Sequence, residues 1–342
     1  MTRKSLRTKR IFSIILSLAV ALTMMPVSAF ADGTSPVENA VAEVTAGSTT
    51  TQYTDIEAAF AAAQNSEGST VKLLADSTAE GLTITKSVTL DLNGHGIEYV
   101  EVGQTDEGTE EVRASGNLTV EDTSAGKTGK VTGMIKLLVG KLTINGGTIG
   151  DGRNGVEIEK GTLTVNGGTI DFLYSGAGSG TVTITGGAVK NARFSKGFNI
   201  TVTGGSGHTG LWNVMEGTWN ISGGEFEDVV FQTESPAENL HITGGMFGAI
   251  ARQILRSSIK EPAPISGLLA DGYAFYQKTD SKEYDRCVKL TDTITSQENV
   301  QVKSHTHNIE NGVCTVCGAQ VVAQDNTGKY YLSLQDAFAG VA

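Results

Sequence analysis

Leu142-Thr-Ile-Asn-Gly-Gly147, Leu163-Thr-Val-Asn-Gly-Gly168 and Val182-Thr-Ile-Thr-Gly-Gly187 are one phrase written three times. It continues as Ile200-Thr-Val-Thr-Gly-Gly205, Trp219-Asn-Ile-Ser-Gly-Gly224 and Leu240-His-Ile-Thr-Gly-Gly245. From glycine pair to glycine pair the spacings are 21, 19, 18, 19 and 21 residues. A period that steady means stacked units, each burying its apolar face against the next. Within a phrase, side chains two apart share a face. The apolar set must point inward, which predicts one ladder through Leu142, Leu163, Val182, Ile200, Trp219 and Leu240, and a second through Ile144, Val165, Ile184, Val202, Ile221 and Ile242. After each glycine pair a third ladder follows, through Ile149, Ile170, Val189, Phe226 and Phe247, with the Gly205 unit departing at Ser206-Gly207. The glycine pairs are expected to supply corner conformations that side chains forbid. Segments such as Val156-Glu-Ile-Glu159 supply a third side. Three short strands in about 20 residues make one coil of a parallel β-helix, so the chain reads as all-β, a solenoid.

Working outward, the flanks divide. Residues 1–31 read as a secretory signal: Arg3, Lys4, Arg7, Lys9 and Arg10 precede the apolar run Ile11–Met25, and Ala29-Phe30-Ala31 is a cleavage site. The apolar run is short for a membrane span, and no integral membrane segment is expected in the mature chain. Residues 32–50 read as a loose leader, and 51–290 as the β-helix module. In that module Thr54-x-x-Glu57 predicts a capping box for a helix over 54–65, with Ile56, Ala59, Phe60 and Ala63 on one face, set as a cap over the solenoid's open end. Coils are expected over about 70–250. Residues 99–116, acidic and glycine-rich, suggest a loop. Residues 250–262 suggest a short helix within a closing region, 251–290. Residues 291–320 form a linker with a Cys/His hairpin. In 321–342, Tyr331-Leu-Ser-Leu-Gln-Asp-Ala-Phe-Ala339 repeats Tyr53-Thr-Asp-Ile-Glu-Ala-Ala-Phe-Ala61 at an offset of 278 residues, the start of a second module truncated here.

The 342 residues carry 26 basic and 37 acidic side chains. Removing the signal takes five of the basic ones and no acid, so the mature chain is more acidic still. That balance excludes nucleic acid and anionic polymers as default partners, because both need a positive field. Three cysteines do not make a disulfide scaffold.

The motif with the sharpest chemistry is His305-Thr-His307 followed by Cys314-Thr-Val-Cys317-Gly318. Cys-x-x-Cys on a tight turn presents two thiolates to one ion, the glycine suits a zinc-knuckle turn, and Glu310-Asn-Gly312 suits a hairpin that brings the histidines in. Structural zinc on His305, His307, Cys314 and Cys317 is the reading; a Cys314–Cys317 disulfide or a plain thiol pair are the alternatives. Four protein ligands leave no open position for catalysis. Cys287 is left over as a small buried residue.

Elsewhere, Asp151 and Asp171 lie one coil apart after their glycine pairs. Arg153 and Arg193 are near enough in sequence to neutralise them, and Glu225 or Asp228 sits in a like place. They are candidates for a sugar site, against a solvated outer face; calcium is not expected. Trp219 occupies an inward slot. Trp212, with Phe194, Phe198 and Phe231, is the candidate for an exposed aromatic patch, against filling the third side of a coil. His95 reads as closing a turn, and His208 and His241 as isolated. The outward column Thr143, Thr164, Thr183 and Thr201 is a flat polar ladder.

Val88-Thr-Leu-Asp-Leu-Asn-Gly-His95, the repeated Thr-Gly-Gly units and Leu268-Leu-Ala-Asp-Gly-Tyr-Ala274 together resemble large secreted surface proteins of Gram-positive gut bacteria of the Firmicutes type, over residues 50–342. The resemblance implies a right-handed, pectate-lyase-like β-helix in a multidomain, wall-attached protein with tandem modules. It is specific for architecture and weak for activity, since this fold hosts lyases, hydrolases and inert stalks. The expected function is a non-enzymatic, adhesin-like module that binds host glycan or glycoprotein, or acts as a stalk. The rival is a polysaccharide lyase or glycoside hydrolase.

Overall fold

The structure, a computed structural model, describes residues 37–339 except 80, 107–110, 215, 234–238, 257–258, 271, 280–282, 290–294 and 332–333. The signal expected over 1–31 lies outside the described residues. The rest is mostly strand and winds into a β-solenoid of about nine turns. The columns have the register that the repeat predicts. Val71, Leu90, Val120, Ile144, Val165, Ile184, Val202, Ile221 and Ile242 are successive parallel neighbours. None of the nine is more than 1% exposed. The partner column runs Val88, Leu118, Leu142, Leu163, Val182, Ile200, Trp219, Leu240 in the same pairings and is likewise buried. Each such residue removed from water contributes about 1.5–3 kcal/mol relative to exposure. Parallel neighbours about 4.8 Å apart leave no room for water between like side chains.

The glycine pairs do two different jobs. Gly187 has φ +73°, a left-handed conformation that turns the chain sharply. Gly186 before it is not strained. A Cβ there would instead fall against the Asn166 carbonyl oxygen of the preceding coil. One glycine bends the chain; the other lets two coils approach. Near the start, where Glu121-Asp122 stands in place of a glycine pair, side chains secure the corner. The buried Asp122 carboxylate accepts N–H groups from Gly94 (2.9 Å), Ser124 (3.1 Å) and Gly129 (2.7 Å).

The third ladder is more complete than its reading. Ile149, Ile170 and Val189 pair in register, and the coil that departs at Ser206-Gly207 returns with His208 opposite Phe226, which in turn opposes Phe247. His208 is fully buried, not isolated. Its Nδ1 accepts the Val189 N–H (3.2 Å), so Nε2 carries the proton and donates to the Gly204 carbonyl (3.2 Å). Burial holds its pKa below the ordinary histidine value. The unfolded chain therefore takes up a proton near pH 6.5 while the folded chain does not, and stability falls as the pH drops from there. Urea midpoints at pH 7.5 and 5 should differ more for the native chain than for His208→Phe. The variant costs about 1–3 kcal/mol at neutral pH by leaving the Val189 N–H unpaired. Equal pH dependence of the two chains would refute this.

The ends depart from expectation in detail. The helix Ile56–Ala63 buries Ile56, Ala59, Phe60 and Ala63 in the solenoid core, but its N-cap is Asp55, whose carboxylate accepts the Glu57 N–H (3.0 Å), not Thr54. The segment expected as a loose leader contains the strand Ala42–Ala46. It pairs antiparallel with Thr49–Tyr53 on one side and with Ser69–Leu73 on the other, which protects the first coil's edge. The expected acidic loop is narrower: Gly96–Val102 is a wall strand, and beyond it Gln104–Thr105 pairs antiparallel with Val112–Ala114 in a small sheet of their own. Among the described residues of 250–262 there is no helix. Met246–Arg256 and Ile259–Pro262 are antiparallel strands there, since Phe247 and Ile250 continue the core columns. Ser296–Ser304, expected in the linker, pairs antiparallel with both Met246–Arg256 and Tyr273–Lys278 and so closes the last coil. Finally, Ala323–Gln324 pairs with Tyr330–Tyr331 ahead of a helix at Leu334–Ala339, repeating the hairpin-then-helix order that leads into Ile56.

Candidate metal centre

The closing strand Ser296–Ser304 delivers His305 at its end, where the His305 N–H is held by the Gly272 carbonyl (2.6 Å). A two-residue turn follows three residues beyond His307. Ile309–Glu310 and Val313–Cys314 pair antiparallel around Asn311 (φ +53°) and Gly312 (φ +77°), the left-handed pair that a tight hairpin needs. Beyond Cys314 the chain folds back. The Gly318 N–H reaches the Cys314 carbonyl (2.9 Å), and the Cys314 N–H reaches the Ala319 carbonyl (2.8 Å). This knuckle places Cys317 beside Cys314 and aims both at the histidines.

The ligand atoms of His305, His307, Cys314 and Cys317 all lie within 4.8 Å of one another. His305 Nε2 is 3.4 Å from Cys314 Sγ, and His307 Nδ1 is 3.5 Å from Cys317 Sγ. In a tetrahedron with metal–sulfur bonds near 2.3 Å and metal–nitrogen bonds near 2.0 Å, the nitrogen–sulfur edge is about 3.6 Å. The four residues could therefore hold a metal ion with little movement. The other nitrogen of His305, Nδ1, lies 3.3 Å from the Tyr276 hydroxyl, a partner that fixes the ring and its tautomer. Cys314 and Cys317 are buried and are free thiols, not bridged to each other. Burial opposes ionisation of Cys314, but the Cys317 N–H and the two histidine side chains outweigh it and bring the thiol down to about 5. Burial, with Cys314 alongside, pushes Cys317 up to about 11. The pair gives up one proton readily and holds the second. A bound dication would let both sulfurs be thiolates at once.

The other candidates do not gather. Asp171 is buried, 6% exposed. Its carboxylate accepts the Gly152 N–H (2.8 Å) and pairs with Lys190 (2.6 Å), so its cation is neither Arg153 nor Arg193. Asp151 is exposed and turns back on its own loop, accepting the N–H groups of Arg153 and Asn154 (both 2.9 Å), which lower its pKa. The exposed Arg153 thus donates its backbone, not a guanidinium, to Asp151. These carboxylates organise corners. Trp212 is not part of an exposed patch: it is fully buried, and Phe194, Phe198 and Phe231 are buried too. Trp212 lies opposite Ala192 and Phe231 in an inward column, and its indole N–H is satisfied by the Thr209 carbonyl (3.2 Å). The alternative reading, that these aromatics fill the third side, is the one the structure bears out. Trp219 is buried as expected, and His95 closes a turn through its N–H to the Leu92 carbonyl (2.8 Å).

One outward constellation has no signature in the sequence, because its members come from four separate strands. Glu101, Lys136, Glu157 and Tyr174 are successive register neighbours. The Lys136 ammonium lies 3.6 Å from Glu157 and 3.5 Å from Glu159, and the Tyr99 hydroxyl donates to Glu101 (2.9 Å). Burial raises the Glu157 pKa despite Lys136, with Glu159 adding to the rise.

Among the described residues no helix is long and apolar enough to cross a membrane. Neither a protein-family model nor a curated protein nor a solved structure matches the chain.

Proposed function

We propose that the chain is a non-enzymatic, secreted surface module. Its solenoid, wound right-handed like nearly all parallel β crossovers, is a rigid arm that presents a flat face to host glycan or glycoprotein, and its knuckle carries structural zinc. The observation that supports the binding reading is the outward column. Thr70, Thr89, Thr119, Thr143, Thr164, Thr183 and Thr201 are consecutive register neighbours, none of them fully buried. Seven β-branched hydroxyl side chains at a strand spacing of about 4.8 Å make a flat polar strip. Such a strip suits repeated weak contacts with an extended, hydroxyl-rich chain, multiplied where modules occur in tandem. The acidic chain favours neutral over anionic glycans. Zinc is favoured for the knuckle because a Cys₂His₂ set is a closed tetrahedral site with no position left for substrate. Wall attachment follows from the resemblance and is part of the same proposal.

The chain lacking residues 1–31 should bind neutral or mucin-type glycans on an array. The double variant Thr164→Lys, Thr183→Lys should fold and lose at least tenfold in affinity. Native chain that binds no glycan and no host glycoprotein would end this reading.

A second reading, a glycoside hydrolase or lyase, is favoured by one observation. Glu101 and Glu157 flank Lys136 on an outer face, so their strands lie about 10 Å apart. That is at the upper edge of the roughly 6.5–9.5 Å at which two carboxylates leave room for a water. New reducing ends or unsaturated products released from a polysaccharide panel, and abolished in Glu157→Gln, would favour it over the adhesin reading.

A further inference from the structure

The chain has three cysteines, and all three converge. Cys287 ends the strand Tyr284–Cys287 and stands directly opposite Tyr276 on Tyr273–Lys278. Opposed residues of an antiparallel pair share one face. From that face Tyr276 reaches His305 (3.3 Å), and Tyr276 and Cys287 both pack against the buried cluster of Ala274, Cys314 and Cys317. The four-ligand site leaves Cys287 unused. It also differs from the knuckle thiols in access: Cys314 is 1% and Cys317 5% exposed, whereas Cys287 is only partly buried. Backbone hydrogen bonds hold the knuckle loop in place, while Cys287 sits at the end of an outer strand.

We propose that Cys287 is the entry thiol of a redox site shared with the metal centre: when the ion is absent, Cys287 forms a disulfide with a knuckle cysteine, with a small disulfide such as oxidised glutathione as oxidant. The chemistry is two successive exchanges. The Cys287 thiolate attacks one sulfur of the oxidant, whose S–S bond breaks. One glutathione thiolate leaves and takes up the proton that Cys287 lost. A knuckle thiolate then attacks the Cys287 sulfur of the mixed disulfide and expels the second glutathione, which takes up the knuckle proton. Two protein thiols are oxidised and one glutathione disulfide is reduced to two thiols. Coordination ties up the knuckle thiolates, so with metal bound the reaction stops at glutathionylated Cys287. Only this protected state rests on the zinc reading.

The test uses the whole chain without its signal, once loaded with zinc and once stripped with a chelator. Each sample is incubated with oxidised glutathione, alkylated under denaturing conditions and digested with trypsin. No Lys or Arg lies between Ser304 and Lys329, so both knuckle cysteines fall in one peptide, while Cys287 falls in the tripeptide ending at Lys289. The expected product in the stripped sample is the peptide 304–329 joined to 287–289. In the zinc-loaded sample Cys287 carries glutathione and the knuckle peptide carries two alkyl groups. A bridge internal to 304–329 with Cys287 alkylated, or alkylation of all three cysteines, would overturn the proposal. Joined peptides in both samples, with no zinc retained, would sink the zinc reading and leave the thiol exchange standing. Cys287→Ser should retain zinc and lose the joined product; loss of zinc in that variant would make Cys287 a ligand and end the proposal.

Discussion

Trp212→Ala is expected to cost about 3–5 kcal/mol, the range for removing a fully buried large aromatic side chain. The indole has 0% exposure and meets four other rings: His208 and Phe226 at 5.4 Å, Trp219 at 5.9 Å and Phe231 at 6.1 Å between centroids. Its place in the fold is a junction. His208 and Phe226 belong to one inward column, Phe231 to a second and Trp219 to a third, so Trp212 bridges three sides of the same coils. Emptying that volume leaves a cavity that backbone hydrogen bonds to the coils above and below keep from collapsing. Because a solenoid unit touches only its neighbours, the loss should appear as local opening around residues 192–231 before the rest unfolds. Urea denaturation followed by tryptophan fluorescence and by far-UV circular dichroism should give separate midpoints in the variant. An effect within about 0.5 kcal/mol, the size usual for surface substitutions, would mean that the side chain faces water.

A larger change should come from the knuckle. The chain is expected to bind one zinc, and Cys314→Ser or Cys317→Ser should abolish stoichiometric binding. Apparent binding energies of structural zinc in small modules are about 10–16 kcal/mol, and metal binding there is folding energy. The knuckle's own apolar support is slight. Cys314, Cys317 and Ala274 are its buried members, with Tyr276, Cys287, Ile309 and Ala319 packed around them. Chelation should therefore release hydrogen-exchange protection in 305–321 while the coils over 69–250 keep theirs, since those columns form a separate core cluster. Tyr276→Phe should weaken zinc binding by about 10-fold, the lower end for a lost partner to a ligating histidine. A chain that retains the knuckle's protection without metal would count against the site.

The three inward ladders and the knuckle show how far a sequence carries. In the glycine-terminated phrases every coil presents the same register at the same spacing. Alternation of two along the strand, joined to a period near 20, leaves one arrangement that buries all the apolar side chains, and the column from Leu142 to Leu240 follows from that alone. The Cys/His set was legible for a related reason: Cys-x-x-Cys and Asn-Gly are local chemistry, complete within about a dozen residues. The burial of Trp212 and His208 was not legible. The irregular coil at Ser206-Gly207 loses the phrase, and its register shifts between His208 and Thr209. A shift of one residue exchanges inside for outside, so no count along the chain could say which way those rings point. The closing strand Ser296–Ser304 has no signature in the sequence, because its partners are some fifty and twenty-five residues upstream and antiparallel, outside the period.

By itself, then, the sequence determined what repeats and what is local: the winding, the two principal dry columns and the donors of the knuckle. Tertiary structure alone decided which coil-breaking residues turn inward, that Lys190 and not an arginine faces Asp171, and that Cys287 comes home to the other two cysteines. Each of these depends on contacts between segments whose separation along the chain carries no period, and there burial, not pattern, chooses the partner.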